Sequence, residues 1–549
     1  MAGYDQTLRP FLWRAERMYP DTEIVSRTHA GIERYTYADY GERTRQLANA
    51  LVAAGITDGD RVGTFCWNHH RHFETYFAVP DMGAQLHTIN PLLPDEHIQY
   101  IVENAADSLL FVDPSLAEKL ASAHDAEAFE SVEQYVVIGG EVPDVDLDPI
   151  TDYESFVGAQ SSEFEWPELS EDDMAGMCYT SGTTGKPKGV EYTHQMLWSH
   201  TMATISPQGL AIDDSDVVMP VVPMFHVNAW GMPFSTTAAG AKHVYPGPAP
   251  DPADLASLIE EEGVTLSAGV PTVWLGLLEY LREHDADMSS LERLVIGGSA
   301  APEALIREFD REYDVEVLHA WGMTEMSPIG SVAHIKGSLR DADYDTKIAK
   351  RAKQGLMVQG LEFRVVDDDG SEVPWNGEDF GELYVRGPWV TTEYFKRPDA
   401  TEEDFEGAWL KTGDIVSVDP DGYITIVDRA KDVIKSGGEW ISSVELENAL
   451  MANEAVSEAT VVGVPHERWQ ERPVAFVVKA EGATVDDETL KEQLLSAIRE
   501  EYPKWWAPDD VIYIEAVPKT ATGKFDKKVL REQYGDESLI EGKAPEQKE

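Results

Sequence analysis

The chain has 549 residues, enough for a large core and more than one domain, and its 42% apolar content with 14 Trp, 21 Tyr and 17 Phe marks a globular protein. It carries 100 Asp plus Glu against 44 Lys plus Arg, a formal net charge of −56, and such a field repels nucleic acid and anionic lipid. The carboxylates are scattered along the whole chain rather than gathered in one tail, so the sequence reads as that of a protein from a halophilic source, whose self-repulsion concentrated salt would screen.

The opening stretch, MAGYDQTLRPFLWRAERMYP, has no apolar run behind a basic start, so no signal peptide and a cytoplasmic location are expected. From about residue 60, short apolar strands alternate with amphipathic helices. RVGTFCW, QLHTIN, SLLFVD and QYVVIGG read as strands, and HRHFETYFAVPDMGA, PDEHIQYIVENA and SLAEKLASAHD read as helices. The alternation predicts an α/β fold with a mostly parallel sheet covered on both faces. Residues 140–175, rich in Asp, Glu, Pro and Ser, read as an irregular acidic connection.

A second α/β series follows, with strands HVYPG, LSAGV and RLVIGG and helices PADLASLIEEEG and PEALIREFDREY. The most apolar window, VVMPVVPMFHVNAWGMPF, is broken by prolines, His226 and Asn228 and cannot span a bilayer. Near residue 380 the texture turns strand-rich, with FGELYVRG and YITIVDR. Past Asp428, SSVELENALMANE and DETLKEQLLSAIREEY read as helices among the strands VSEATVVGV, PVAFVVKA and DVIYIEAV. Cys66 and Cys178 stand apart among apolar residues and read as small core side chains.

Residues 179–190 read YTSGTTGKPKGV, in a chain whose only earlier lysine is Lys119. Gly182, Gly185 and Gly189 let backbone N–H groups wrap an anion. Thr180, Ser181, Thr183 and Thr184 add hydroxyl donors, and Lys186 and Lys188 add charge. A surface turn explains the glycines but not the hydroxyls and lysines together. The spacing is not that of a Walker A loop.

TSGTTGKPKG resembles the signature of the adenylate-forming (AMP-binding) superfamily. Further motifs of that superfamily occur in its order: GGSAAP (297–302), HAWGMTE (319–325), GELYVRG (381–387), KTGD (411–414), DRAKDVIKSGGEWIS (428–442) and PKTATGKFDKK (518–528). The series spans essentially the whole chain. VVPMFHVNAWGMP and PKWWAPDD most resemble medium- or long-chain fatty acyl-CoA synthetases.

The resemblance implies a large N-terminal domain of doubly covered sheets over residues 1–428, β-rich at about 340–428. A small mobile α+β domain would span 429–535, with a polar tail at 536–549. It implies a carboxylate attacking the α-phosphate of ATP to give acyl-AMP and pyrophosphate, followed by thioester formation with CoA. The 180–188 loop would hold phosphates, Glu325 with Thr184 would hold Mg²⁺, and Thr324 would donate to the α-phosphate. Gly298, Ser299, His319, Ala320 and Trp321 would form the adenine slot, with Trp321 where the superfamily usually has Tyr.

Asp414 would accept from the ribose, with Arg429 beside it. Lys524 would be the mobile catalytic lysine and Lys431 the hinge. Lys435 would contact nucleotide or CoA, and Gly437, Gly438 and Trp440 would line the pantetheine path. His226, Val227, Trp230, Gly322 and Met323 would wall the acyl pocket, His226 as wall or gate rather than metal ligand. The resemblance leaves a homodimer open. Three alternatives stay open: an aryl- or short-chain acid–CoA ligase, a stand-alone adenylation domain loading a carrier protein, and a catalytically silent nucleotide-binding protein.

Overall fold

The computed structural model describes residues 4–180, 186–367, 369–429, 432–436, 439–466, 468–480, 482–519 and 525–534, with the side chains of residues 439, 440, 532 and 534 set aside. The chain divides into two compact units, residues 1–362 with 385–410, and residues 363–384 with 411–549.

Two large sheets build the first unit. In one, seven strands lie in the order Ile150–Asp152, Gln134–Val137, Leu109–Val112, Arg61–Phe65, Gln85–Thr88, Met174–Tyr179 and Gly189–Thr193. All its pairings are parallel except the last, as strands alternating with helices require. The helix His70–Asp81 between two of these strands is buried along nearly its whole length. Its buried face takes in polar side chains, His72, Glu74 and Asp81 among them, so the stretch read as an amphipathic helix is covered on nearly all sides. Residues 140–175 are a correction to the expectation of an irregular connection. Ile150–Asp152 adds a parallel edge strand, and the helix Tyr153–Val157 is pinned by burial of Tyr153, whose hydroxyl donates to Glu74.

The other sheet runs Leu356–Met357, Ile329–Val332, Glu316–Gly322, Arg293–Ile296, Leu266–Gly269, Val217–Pro220, Lys242–Tyr245, Glu23–Thr28 and Gly31–Thr36. Its inner strands are parallel and its outermost pairings antiparallel. The helix Pro252–Glu262 opens on a reciprocal cap, Asp251 with Asp254, and ends at Gly263 in the left-handed conformation. It packs Leu255 and Ile259 with Trp274, Leu277 and Phe309 of neighbouring helices onto Met219, Leu294, Ile296 and Val317 of the sheet. Aliphatic burial of this kind contributes about 1.5–3 kcal/mol per large side chain.

In the second unit, segments 363–366, 380–384 and 411–418 lie side by side, with Ile424–Arg429 antiparallel to the last. Beyond them a sheet of Glu439–Ile441, Ile434–Ser436, Gln470–Lys479 and Val456–His466, with Asp510–Tyr513 parallel to Gln470–Lys479, carries its own core. Ile434, Leu446, Leu450, Val461, Leu494 and Ile498 fill it. Among the described residues no helix is long and apolar enough to cross a membrane.

Candidate active site

The suspected motifs of the first unit cluster where parallel α/β sheets place ligands, just past the carboxyl ends of strands. Residues 180–188 follow Met174–Tyr179, residues 221–230 follow Val217–Pro220, residues 297–299 follow Arg293–Ile296, and Thr324–Glu325 follow Glu316–Gly322.

The root of the glycine loop is closed by one backbone bond and one to a side-chain hydroxyl. Thr180 N–H donates to the Lys188 carbonyl (2.9 Å), and Lys188 N–H donates to Thr180 Oγ1 (3.1 Å). Tyr179 Oη donates to Asn104 Oδ1 (2.7 Å), fixing the last strand residue before the loop. Lys186 Nζ stands 4.4 Å from the centre of the Tyr100 ring. Lys188 Nζ pairs with Asp404 Oδ2 at 2.5 Å and lies 4.6 Å from the centre of the Tyr394 ring. Ser181, Gly182, Thr183, Thr184 and Gly185 lie outside the described residues.

Glu325 occupies a single 3-10 turn, Thr324–Met326, that ends at Ser327 with φ +67°. Glu325 is 7% exposed, and its Oε1 accepts the Tyr394 hydroxyl at 2.8 Å. Its carbonyl accepts Thr391 N–H (2.8 Å), and the Thr324 carbonyl accepts the Tyr192 hydroxyl (2.7 Å). Burial first, then the Glu325 carboxylate, push the Tyr394 phenol far above its ordinary range, so it keeps its proton and donates. Glu325 is therefore a buried, oriented acid rather than one more solvated carboxylate.

In the loop expected to form the adenine slot, Gly298 has φ +83° and faces Val270 closely, a position suited to glycine. Burial pushes the His319 ring down to about 4, which leaves it neutral. Its Nδ1–H donates to the Ala352 carbonyl (3.0 Å), and its Nε2 accepts Ala301 N–H (3.3 Å). His319 thus fastens the GGSAAP loop to the sheet instead of turning its ring to a ligand, and what this position shapes is the loop carrying Gly298 and Ser299. Trp321 is 8% exposed, with its ring packed over Gly330, where a Cβ would meet Cζ3 at 2.4 Å. Gly322 lies so close to the Pro328 carbonyl oxygen that a Cβ would stand 2.2 Å from it. Met323 N–H donates to that same carbonyl at 3.1 Å.

The suspected acyl wall is strained. Val227, Asn228, Ala229 and Trp230 have φ of +37°, +58°, +47° and +57°, a run of left-handed residues that ends at Gly231 with φ +75°. Left-handed backbone costs an L-residue roughly 1–2 kcal/mol, and such strain collects at functional sites. The preceding chain is clamped. Asn68 donates to the Pro220 and Val222 carbonyls (2.9 Å each) and accepts Met224 N–H (2.7 Å), while Tyr76 Oη donates to the Met224 carbonyl (2.6 Å). His226 is half-buried at the foot of the strained run. Among the described residues no group of three or more His, Cys, Asp or Glu side chains could hold a metal ion.

In the second unit, Asp414 pairs in register with Arg429, and Arg429 Nε lies 2.9 Å from Asp414 Oδ1. Arg429 also donates to the Thr412 carbonyl (3.1 Å). Lys435 is exposed, its N–H donates to Glu471 Oε2 (2.9 Å), and its backbone pairs with Trp440. Lys431, Gly437, Gly438 and Lys524 lie outside the described residues. On either side of position 431, Asp428 Oδ2 accepts Ser443 N–H (2.9 Å) and Asp432 pairs with Arg531 (2.6 Å). Lys527 is buried, with Nζ 2.8 Å from Glu447 Oε1.

Several of these residues escaped the sequence reading. Tyr394 and Asp404 belong to no phosphate-loop pattern, and Lys527 stands beside Lys528 in a basic run that carries no sign of burial. Asn68 had a usable signal, an amide just past the carboxyl end of a buried strand.

The family model for the AMP-binding enzyme matches residues 12–395, and that for the AMP-binding enzyme C-terminal domain matches residues 445–524. The chain is 45% identical over 536 residues to a long-chain-fatty-acid–CoA ligase of Thermus thermophilus, covering 97% of this chain and 96% of that one. It is 41% identical over 525 residues to a 3-methylmercaptopropionyl-CoA ligase of Ruegeria lacuscaerulensis (95% and 96% covered). It is 40% identical over 526 residues to a medium-chain-fatty-acid–CoA ligase of Ectopseudomonas oleovorans (95% of each). Among solved structures, an anthranilate CoA ligase in complex with anthranoyl-AMP superposes with a TM-score of 0.85 at 25% identity, covering 96% of this chain and 97% of that one. The chain belongs to the AMP-binding enzyme family.

Proposed function

We infer that the protein is an AMP-forming acid–thiol ligase that activates medium- or long-chain fatty acids with ATP and passes them to CoA. The observation that carries this reading is the constellation at the mouth of the glycine loop: the cation Lys188 and the buried acid Glu325 on either side of Tyr394. Kinship over almost the full length to two fatty acid–CoA ligases supports the substrate class.

Adenylation brings a carboxylate onto the α-phosphate of ATP, so two anions must meet, and preorganised positive charge and donors lower that barrier. On this reading Lys188 and the 180–188 backbone take the β- and γ-phosphates, and Thr324 donates to the α-phosphate. Trp321 and the Gly298–Ser299 loop hold the base, with Asp414 and Arg429 assigned to the ribose. Glu325 presents a carboxylate oxygen of the kind hard cations prefer, and its orientation by the Tyr394 hydroxyl fits a Mg²⁺ ligand, with Thr184 as the second by resemblance. The ion would offset phosphate charge. Lys524, Lys431, Lys435, Gly437, Gly438 and Trp440 keep the roles the resemblance gives them, in adenylation, rotation and thioester formation.

A second reading rests on the 3-methylmercaptopropionyl-CoA ligase relative, and would make the substrate a short thioether acid. Turnover of butyrate, decanoate, palmitate, benzoate and 3-methylmercaptopropionate, measured with ATP and CoA in molar KCl, separates the readings. The fatty acid reading expects the highest kcat/KM for decanoate or palmitate. A clear preference for 3-methylmercaptopropionate selects the second reading, and one for benzoate rejects both.

A further inference from the structure

We propose that Tyr394 is a positioning residue for the phosphate end of the site, orienting the Glu325 carboxylate through its hydroxyl and seating Lys188 on its ring face. The inference rests on the proposed assignment of Glu325 and Lys188 to the metal and phosphates of ATP. Tyr394 lies at the end of an irregular stretch behind the motif strand Phe380–Arg386 and matches none of the phosphate-binding signatures.

Its geometry serves both charges at once. The hydroxyl donates to Glu325 Oε1 at 2.8 Å, while the ring centre stands 4.6 Å from Lys188 Nζ. A donor on one carboxylate oxygen fixes the direction of the group, and it selects one rotamer of a side chain with three rotatable bonds. The ring face attracts the Lys188 ammonium, which Asp404 also pairs, so the lysine is held near the loop. The residue itself is fixed. It is 4% exposed, its N–H donates to Thr401 Oγ1 (3.0 Å), and the neighbouring Phe395 N–H donates to the Gly189 carbonyl at the end of the glycine loop (2.9 Å). One short segment therefore ties the loop, its lysine and the acid together.

The test is Tyr394→Phe, which keeps the ring beneath Lys188 and removes only the O–H. Calorimetry with a non-hydrolysable ATP analogue, with and without Mg²⁺, gives affinities for the parent, Tyr394→Phe, Glu325→Gln and the double variant. Loss of one hydrogen bond to a charged group predicts affinity about tenfold weaker with Mg²⁺. The fatty acid KM should stay within about twofold, because the phenol faces the phosphate end. Without Mg²⁺ the difference from the parent should vanish, because the hydroxyl acts on the carboxylate and not on the phosphates. A general folding defect would instead persist without Mg²⁺, and that result overturns the proposal. The double variant should bind no more weakly than Glu325→Gln alone. Additive losses, or parental affinity in Tyr394→Phe where Glu325→Gln is weakened, overturn the role of Tyr394 and leave that of Glu325 standing. Parental affinity in Glu325→Gln overturns both.

Discussion

The indole edge of Trp230 lies against Gly297: a Cβ on that glycine would stand 3.2 Å from Trp230 Cη2 and 3.0 Å from the Ala320 carbonyl oxygen. The contact places the strained end of the suspected acyl wall directly on the loop that carries Gly298 and Ser299, the proposed adenine-binding residues. Trp230→Ala removes the ring but not the loop, so selectivity among acyl chain lengths should shift, while the KM for ATP stays within about twofold. Kinetics with a series of saturated acids checks this. A change in ATP KM without any change in chain-length profile would remove Trp230 from the acyl wall.

Asp404 Oδ2 pairs with Lys188 Nζ, so on the proposed assignment this carboxylate competes with the phosphates of ATP for the lysine. Asp404→Asn removes the competitor. The pair is partly exposed and therefore weak, so the KM for ATP should fall about threefold. A higher KM in Asp404→Asn would show that the carboxylate holds Lys188 in place for phosphate rather than away from it.

Much of the fold was legible because its signal is local. Strands such as Arg61–Phe65 and Leu109–Val112 are short apolar runs bounded by turn residues, and Glu303–Tyr313 shows a helical stripe of Leu305, Ile306 and Phe309. The edge strand Ile150–Asp152 and the helix Tyr153–Val157 hid in acidic sequence, because two buried side chains suffice to dock so short a helix. In the site, the glycine loop stands out by its composition and Glu325 through the resemblance of its motif, and the structure shows Glu325 buried. Tyr394 could not be read from sequence, since its partner Glu325 is 69 residues away and only the fold brings them together. His319 shows the opposite limit: its motif is legible, but that both its nitrogens hold backbone is not.

Lys527 is buried against Glu447, with Asp428 close enough to favour its charge, so this lysine supports the body of the C-terminal region. Burial raises the pKa of both acids, while the lysine opposes it. Lys527→Met leaves buried carboxylates without their cation and should destabilise that region by about 3–5 kcal/mol. Urea unfolding measures it. Adding Glu447→Gln should restore most of the loss, and failure to do so would mean the lysine acts through packing alone.

Asp81 is fully buried, neither carboxylate oxygen has a hydrogen-bond partner among the described residues, and burial pushes it up to about 7 from an ordinary 3.8, with Arg9 opposing. The folded state then holds a proton that the unfolded state releases, so stability falls as pH rises from about 4 to about 7 and is level above. Asp81→Asn abolishes that slope. The variant should match the parent near pH 4 and exceed it by about 2–4 kcal/mol at pH 8. Parallel stability curves for the two proteins across this range would contradict the assignment.

The adenylate route is tested most directly by following oxygen from the carboxylate. Decanoate labelled with ¹⁸O at both carboxyl oxygens is turned over with ATP, Mg²⁺ and CoA in molar KCl, and the phosphorus products are analysed by mass spectrometry. If the carboxylate attacks the α-phosphate, CoA displaces AMP from the mixed anhydride, and AMP leaves carrying one labelled oxygen while pyrophosphate carries none. Unlabelled AMP, or label in inorganic phosphate beside ADP, would contradict the account.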